Sequence, residues 1–191
     1  MDKAVIGAVM AAALSLAACA GDAGTGTGTG VVGGADVLGG TYWYVPPAFL
    51  PALSFDPGSG TAAAVSDQTV WLISQSAHGY FWGQATAVFS GANAGMAGRQ
   101  PNCSQLAGSV TPSGDVLISF VSKTSTITGT GHLMNQGHQP VFRMQMNSGK
   151  STMILHWADM AQCRQGEACW DKLPGSDLGI EAFMAQCTQA Q

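Results

Sequence analysis

From Thr41 onwards the sequence consists of short runs of β-branched and aromatic residues separated by turn residues, and this punctuation limits the fold more than any other feature. Runs of this kind are typical of antiparallel strands that follow one another along the chain. Turn chemistry at His78-Gly79 and Pro112-Ser113-Gly114 supports tight hairpins between them. The predicted strands are Thr41–Val45, Gln68–Gln75, Tyr80–Phe89, Ser104–Thr111, Asp115–Ser122, Ser125–Leu133, Val141–Asn147 and Ser151–Trp157.

Alternation within these runs indicates a sheet with one buried face. Phe142, Met144 and Met146 share one side of a strand, with polar residues between them. The run 70–73 (Val-Trp-Leu-Ile) is apolar on both sides, which predicts a strand covered twice. We expect an all-β fold in which an eight-stranded antiparallel meander closes as a barrel, with a two-sheet sandwich as the alternative.

The N-terminal residues 1–18 have the pattern of an export signal. Lys3 precedes an apolar run from Ala4 to Ala18, and Cys19 follows among small residues. The alternative is a transmembrane helix, which needs about 20 apolar residues. This run has fifteen residues and lacks a basic flank after it. The sequence therefore predicts a removable signal peptide.

The tetrapeptide Leu16-Ala17-Ala18-Cys19 resembles the lipobox of bacterial lipoprotein precursors. The resemblance implies lipid attachment to the Cys19 thiol, cleavage before Cys19 and acylation of the new N-terminus, which together give a firm membrane anchor. The resemblance to Gram-negative lipoproteins also implies, from Ala20 rather than Asp after the cysteine, an outer-membrane location with the domain outside the cytoplasm. An ordinary secretory signal with a chance cysteine is the alternative.

Residues 19–40 are predicted to be a lipidated tether, and residues 41–191 a single β-domain. The segment 20–40 holds nine glycines and few side chains to pack. Its Gly-Thr repeats lack a phosphate-loop motif. Charged residues make up 9% of the chain and the net charge is −4, so no basic surface is available for nucleic acid.

The segment Gly40-Thr41-Tyr42-Trp43-Tyr44 resembles the Gly-Thr-Trp-Tyr start of lipocalin and avidin-type barrels, with Trp43 one position late unless Tyr42 takes its place. The stretches VSDQTVW, GYFWG, GSVTPSGDV and FRMQMNSG are similar to parts of exported bacterial proteins. The first resemblance implies a barrel; neither brings an activity with it.

Four cysteines remain once Cys19 is assigned to lipid, and an exported protein can oxidise them. Of the three possible pairings we favour Cys163 with Cys169, because a Gly in the short loop between them lets it close. Cys103 then pairs with Cys187. A zinc site is the alternative, although the Cys-x5-Cys spacing is loose for zinc.

A short C-terminal helix is predicted after Ser176 or Asp177, either of which can cap it. Its apolar residues recur at helical spacing on one side. They are Ile180, Phe183, Met184 and Cys187. We expect this helix to pack against the sheet.

No constellation in the sequence points to catalysis or to a cofactor. His132 and His138 bracket a turn and would bind copper or zinc with Met134 only on a shared face, whereas a two-residue turn places them on opposite faces. His156 is predicted to be a partly buried strand residue rather than a catalytic one. The GxSxG nucleophile motif is absent. We therefore predict no catalytic residue and no metal.

Aromatic residues could line a ligand cavity or fill the core. The candidate lining residues are Trp43, Tyr44, Trp71, Trp82 and Trp157, with Tyr80 beside them. The sequence predicts a non-enzymatic, lipid-anchored envelope protein that binds a small molecule, a glycan or another envelope protein. An exported hydrolase and a purely structural surface lipoprotein are the alternatives, and the contents of the barrel interior distinguish the three.

Overall fold

A computed structural model describes residues 38–46, 52–90, 100–123, 125–137, 139–148 and 153–188 of the protein. Nine strands and two short helices lie in these ranges. The strands are β1 (Thr41–Tyr44), β2 (Ala52–Asp56), β3 (Thr61–Ala77), β4 (Tyr80–Ser90), β5 (Asn102–Val110), β6 (Asp115–Val121), β7 (Thr126–Gln136), β8 (Gln139–Ser148) and β9 (Met153–Cys163). The helices are α1 (Ala168–Asp171) and α2 (Ile180–Thr188).

The strands form a closed antiparallel barrel, which confirms the predicted fold class. From β3 to β9 each strand pairs with the next along the chain. β1 and β2 both lie between β3 and β9: Trp43 is opposite Trp71 and Gln162, and Ser54 is opposite Ala63 and Ile154. Since β1 and β2 share one position in the sheet, nine strands fill eight positions and the sandwich is excluded.

The sequence analysis identified eight of these strands and missed β2. The segment Ala52–Asp56 is short, and its partner, the first part of β3, contains three consecutive alanines at 62–64. Alanine and aspartate are depleted in strands. The first begins and ends with these two residues and the second is rich in alanine, so both segments carry a weak local strand signal. β9 likewise continues past the predicted end at Trp157 to Cys163. Pairing with neighbouring strands, rather than propensity, sets these elements.

Two local features fix the register of the long β3–β4 hairpin. Its two turn residues, His78 and Gly79, both have positive φ (53° and 83°), as a tight hairpin turn requires. Further along, a bulge at Ser74 shifts the pairing opposite Gly83, where any Cβ would lie 1.9 Å from the Leu72 carbonyl oxygen. Glycine is therefore required at this close approach.

Apolar side chains form a core cluster inside the barrel. Trp43 and Phe142 meet edge to face at 4.4 Å between ring centroids, and both are fully buried. Leu38, within the predicted tether, is 2% exposed in the same cluster, and the Gly40 N–H donates to the Ile73 carbonyl at 2.8 Å. Residues 38–40 thus pack with the barrel, whereas the signal peptide, Cys19 and the rest of the tether lie outside the described residues.

The C-terminal tail covers the outer face of β1, β3 and β4, as the double-sided apolar pattern of residues 70–73 predicts. α2 buries the four apolar residues predicted for it against Val70 and its neighbours. Two disulfides, Cys103–Cys187 and Cys163–Cys169, fix the tail in the pairing that the sequence analysis favours. A second, smaller core therefore lies outside the barrel wall.

Candidate functional site

The five aromatic residues proposed from the sequence to line a cavity divide between the inside and the outside of the barrel. Trp43 and Trp71 are fully buried within it. Trp82 and Trp157 are 40% and 53% exposed on its outer surface, because each follows an inward-facing residue by one position. Tyr44 packs under the C-terminal tail, where burial and then the charge of Glu167 raise the pKa of its hydroxyl. Of the five, Trp71 lines a cavity inside the barrel, and Trp157 borders a groove on the outer surface.

That cavity lies inside the barrel, beside the apolar cluster, and is open to solvent on one side. It encloses about 50 Å³. Its lining residues are Thr69, Trp71, Ala85, Ala87, Phe89, Asn102, Ser104, Phe120, Ser122, Ile127, Met146 and His156. Most of this surface is apolar, with a few hydroxyl, amide and imidazole groups among the apolar side chains. Such a mixture is typical of small-molecule sites, although this enclosed volume is below their usual range of about 300–1,000 Å³.

His156, which lines the cavity, forms a buried pair with Asp67 behind it. The Nδ1 atom of His156 lies 2.7 Å from Oδ2 of Asp67, and the side chains are 5% and 0% exposed. The Thr69 hydroxyl donates to the other carboxylate oxygen of Asp67 at 2.8 Å. With Nδ1–H donating to Asp67, Nε2 of a neutral His156 is left as a hydrogen-bond acceptor.

The interruption of one strand position brings this pair together. β1 ends opposite Val70 of β3, and β2 begins opposite Val65. Asp67 therefore lies in the interval between them, and His156 flanks the same interval from β9. Both side chains point inward by strand alternation, so they meet over the interior at this interval.

Trp71 has an indole N–H that finds no hydrogen-bond partner in the described part of the chain. The residue is 0% exposed. Trp43, directly opposite in the register and equally buried, donates its own indole N–H to the Thr41 hydroxyl at 2.8 Å. A buried donor without a partner costs stability, and a site that retains one needs a specific explanation.

The remaining residues singled out for chemistry do not converge on this cavity. His132 lies on the outer surface 3.4 Å from Asp115, whose pKa is held low by hydrogen bonds from Ser113 and then His132. His138 lies outside the described residues, so the predicted orientation of the histidine pair remains a prediction. Cys163 and Cys169 lie with Glu167 in an arrangement suited to a metal, but their sulfurs are joined in a disulfide.

Among the described residues, Ser104 and His156 do not form the nucleophile–base pair of a hydrolytic triad. Ser104 lines the same cavity, yet no hydrogen bond joins it to His156 among the described residues. The Asp67–His156 pair thus has the orienting carboxylate of a triad, and in the described part of the chain Ser104 is not positioned as its nucleophile.

Sequence reasoning did not find Asp67, which is 89 positions from its partner and part of no motif. One signal was available in the segment 65–73. The residues at odd positions there are inward-facing, and a carboxylate among them is unusual for a buried strand face. A charged residue at an inward position predicts a buried partner, but the sequence does not say which one.

Comparison of the chain with models of protein families, with curated proteins and with solved structures finds no match. Within the described ranges, no helix has the length and apolar character needed to cross a membrane. The function must therefore be argued from the chemistry of the site.

Proposed function

We propose that this protein is a lipid-anchored bacterial envelope protein whose barrel binds a small molecule in the cavity beside Trp71 and His156. The observation that carries the proposal is the combination, inside the barrel, of apolar cavity walls with a His156 imidazole oriented by Asp67. A few fixed polar groups among apolar walls give a site orientation and specificity.

Binding accounts for these groups better than a structural role does. Burying a carboxylate and an imidazole is costly, and apolar residues of similar volume are often as stabilising as a buried ionic pair or more so. Asp67 and His156 are among the few polar residues that the described barrel buries almost completely. A barrel that served only as a scaffold gains nothing from them.

Binding also accounts for the groups better than hydrolysis does. A hydrolase of this type needs a hydroxyl within about 2.6–3.2 Å of the histidine base. Asp67 is hydrogen-bonded to Thr69 and to His156, the candidate base. Ser104, which is among the described residues, has no hydrogen bond to His156. An oriented imidazole without a nucleophile is suited to hydrogen bonding with a ligand.

Two observations support the proposed lipid anchor: the sequence around Cys19 and the presence of two disulfides. Both disulfides are compatible with an oxidising, extracytoplasmic location, and the lipobox-like tetrapeptide supports lipid attachment at Cys19. We expect Cys19→Ser to abolish labelling by a fatty-acid probe in growing cells, because it removes the thiol that the lipid requires. Undiminished labelling of this variant would contradict the anchor.

The cavity itself is tested by filling it. Ala87 lines the cavity, and Ala87→Phe places a ring inside it. Ala107→Phe on the outer surface of β5 is the matched control, since its side chain is exposed. We expect mass spectrometry of extracts from the natively isolated protein to detect a small molecule with the wild type and with Ala107→Phe, but not with Ala87→Phe. Identical extracts from all three proteins would contradict the proposal.

A second candidate function is glycan binding on the outer surface. Trp157 is aligned with Gln145 and Thr130 across three neighbouring strands, and these residues border a shallow groove. An exposed indole beside amide and hydroxyl groups suits an uncharged sugar, because its apolar face can stack while its neighbours hydrogen-bond. Trp157→Ala should then lose retardation by starch or hydroxyethyl cellulose in native gels, while the exposed-residue control Leu178→Ala keeps it.

A further inference from the structure

The unpaired N–H of Trp71 indicates the chemistry of the ligand. We infer that the cavity takes the end of a narrow, uncharged, largely apolar molecule that carries an oxygen acceptor, such as a ketone, ester or alcohol. The Trp71 indole N–H donates its hydrogen bond to that oxygen. This inference rests on the proposed small-molecule function and deepens it.

The need for an acceptor on the ligand follows from the hydrogen-bonding groups of the indole. Its Nε1–H is a donor and cannot accept a hydrogen bond, so an ammonium or another donor group does not satisfy it. Trp71 is fully buried and lines the cavity, and in the described part of the chain its N–H has no partner. A ligand oxygen in the cavity would supply the missing acceptor.

The absence of charge on the ligand follows from the lining. Among the described lining residues, His156 is the one titratable side chain, and no lysine or arginine accompanies it. His156 already faces the buried carboxylate of Asp67, so a ligand carboxylate would bring a second negative charge next to the first. A ligand ammonium would also lack a free opposite charge, because both oxygens of the Asp67 carboxylate are already hydrogen-bonded to Thr69 and His156. A buried charge without an opposite partner is strongly disfavoured. A neutral oxygen satisfies Trp71 without this cost.

The narrow, apolar character follows from size and walls. The enclosed space of about 50 Å³ holds a chain end rather than a ring system. Phe120, Ile127 and Met146 line it along with Trp71, and they favour burial of an alkyl chain. The opening to solvent leaves room for the remainder of the molecule outside.

Three water-soluble probes of equal chain length separate these properties: 2-hexanone, hexanoate and hexylammonium, each at pH 7. The readout is the indole N–H resonance of Trp71 in the ¹⁵N-labelled full chain, identified by its loss in Trp71→Phe. The methyl resonances of Ile127 and Met146 report cavity binding independently of the hydrogen bond. The free aqueous concentration of each probe is measured, so that partitioning into detergent does not bias the comparison.

We expect 2-hexanone to shift the Trp71 N–H resonance saturably, and both charged probes to bind at least about tenfold more weakly. Trp71→Phe should weaken 2-hexanone binding, measured at the two methyl groups, by about 3- to 10-fold, the effect of one neutral hydrogen bond. Trp43→Phe is the matched control. Its indole N–H already has a partner in Thr41, so the affinity for 2-hexanone should not change.

Equal or tighter binding of hexanoate or hexylammonium would overturn the inference about charge, while shifts at Ile127 and Met146 would still support a ligand site. Undiminished binding of 2-hexanone to Trp71→Phe would overturn the hydrogen-bonding role of the indole, while the binding itself would still support a ligand site. If none of the probes shifts the Trp71, Ile127 or Met146 resonances, the proposed function itself fails, and the inference with it.

Discussion

Replacing Trp71 with Phe should destabilise the barrel less than replacing Trp43 with Phe. The two indoles are fully buried, lie opposite each other in the β1–β3 register and belong to the same apolar cluster. Both also contact the ring of Phe142. Trp71 also contacts Phe120, but phenylalanine keeps an aromatic ring at either position. The loss of volume and packing is therefore similar for the two substitutions, and it largely cancels when they are compared.

The difference between them lies in the two N–H groups. Trp43→Phe removes the 2.8 Å hydrogen bond to the Thr41 hydroxyl, at a net cost of about 0.5–1.5 kcal/mol. Trp71→Phe removes a buried donor that has no partner among the described residues, which relieves a desolvation penalty of about 1–3 kcal/mol. Together these effects make Trp71→Phe more stable than Trp43→Phe by about 1.5–4.5 kcal/mol.

Urea denaturation of the two variants and the wild type, with both disulfides intact, measures this difference. In a domain of this size it corresponds to a gap in melting temperature of at least about 3 °C. Equal free energies of unfolding for the two variants, or a larger loss for Trp71→Phe, would refute the reasoning. Either result would mean that the Trp71 N–H is satisfied in the folded protein without added ligand.

Three further predictions concern the tail, the start of the barrel and acid stability. Replacing both Cys103 and Cys187 with Ser opens a loop with a sequence separation of 84, and should lower the free energy of unfolding by about 4–5 kcal/mol in the chain-entropy estimate. The corresponding change at Cys163 and Cys169, separated by 6, should cost about 2–2.5 kcal/mol; urea denaturation gives both values, and equal losses would contradict the estimate. Leu38→Ala should cost about 2–5 kcal/mol in the same assay, because Leu38 is buried in the core; no loss would return residues 38–40 to the tether. Hydrogen bonds from Arg143 lower the pKa of Asp159, so this pair stabilises the fold above the ordinary carboxyl pKa of about 3.9 and its contribution disappears as the pH falls further. The stability difference between wild type and Arg143→Gln should therefore shrink between about pH 5 and pH 2, and a constant difference over that range would contradict the assignment.

The sequence predicts the barrel because its strands are consecutive and its turns are local. His78-Gly79 and the turn ending at Gly114 combine residues that tolerate positive φ with tight links, so the hairpins can be identified from neighbouring residues. The disulfide pairing was predicted in the same way. The short loop between Cys163 and Cys169 favours their pairing, which leaves Cys103 and Cys187 for each other. Each of these features depends on residues close together in the chain.

The parts that could not be predicted depend on contacts between distant residues. β2 has little strand propensity and forms because β3 and β9 pair with it on either side. Trp82 and Trp157 were assigned to the interior on residue type, although their positions next to Phe81 and His156 place them outside by alternation. Whether a side chain points into or out of the barrel depends on the strand register, which the sequence alone did not fix.

The interruption between β1 and β2 links the fold to the proposed site. A continuous strand there would separate β3 and β9 by two strand spacings, about 9.5 Å, along their whole length. Two short segments instead leave an interval opposite Asp67 and beside His156, and the buried pair lies at that interval. Apolar residues at positions 67 and 156 would extend the apolar core into this part of the barrel. They would also avoid burying a carboxylate. The wall of one small cavity instead holds an imidazole that a buried carboxylate orients, and a tryptophan whose indole N–H has no partner in the described part of the chain. Because each of these groups is costly for folding alone, their concentration at one place supports the proposal that a small molecule binds there.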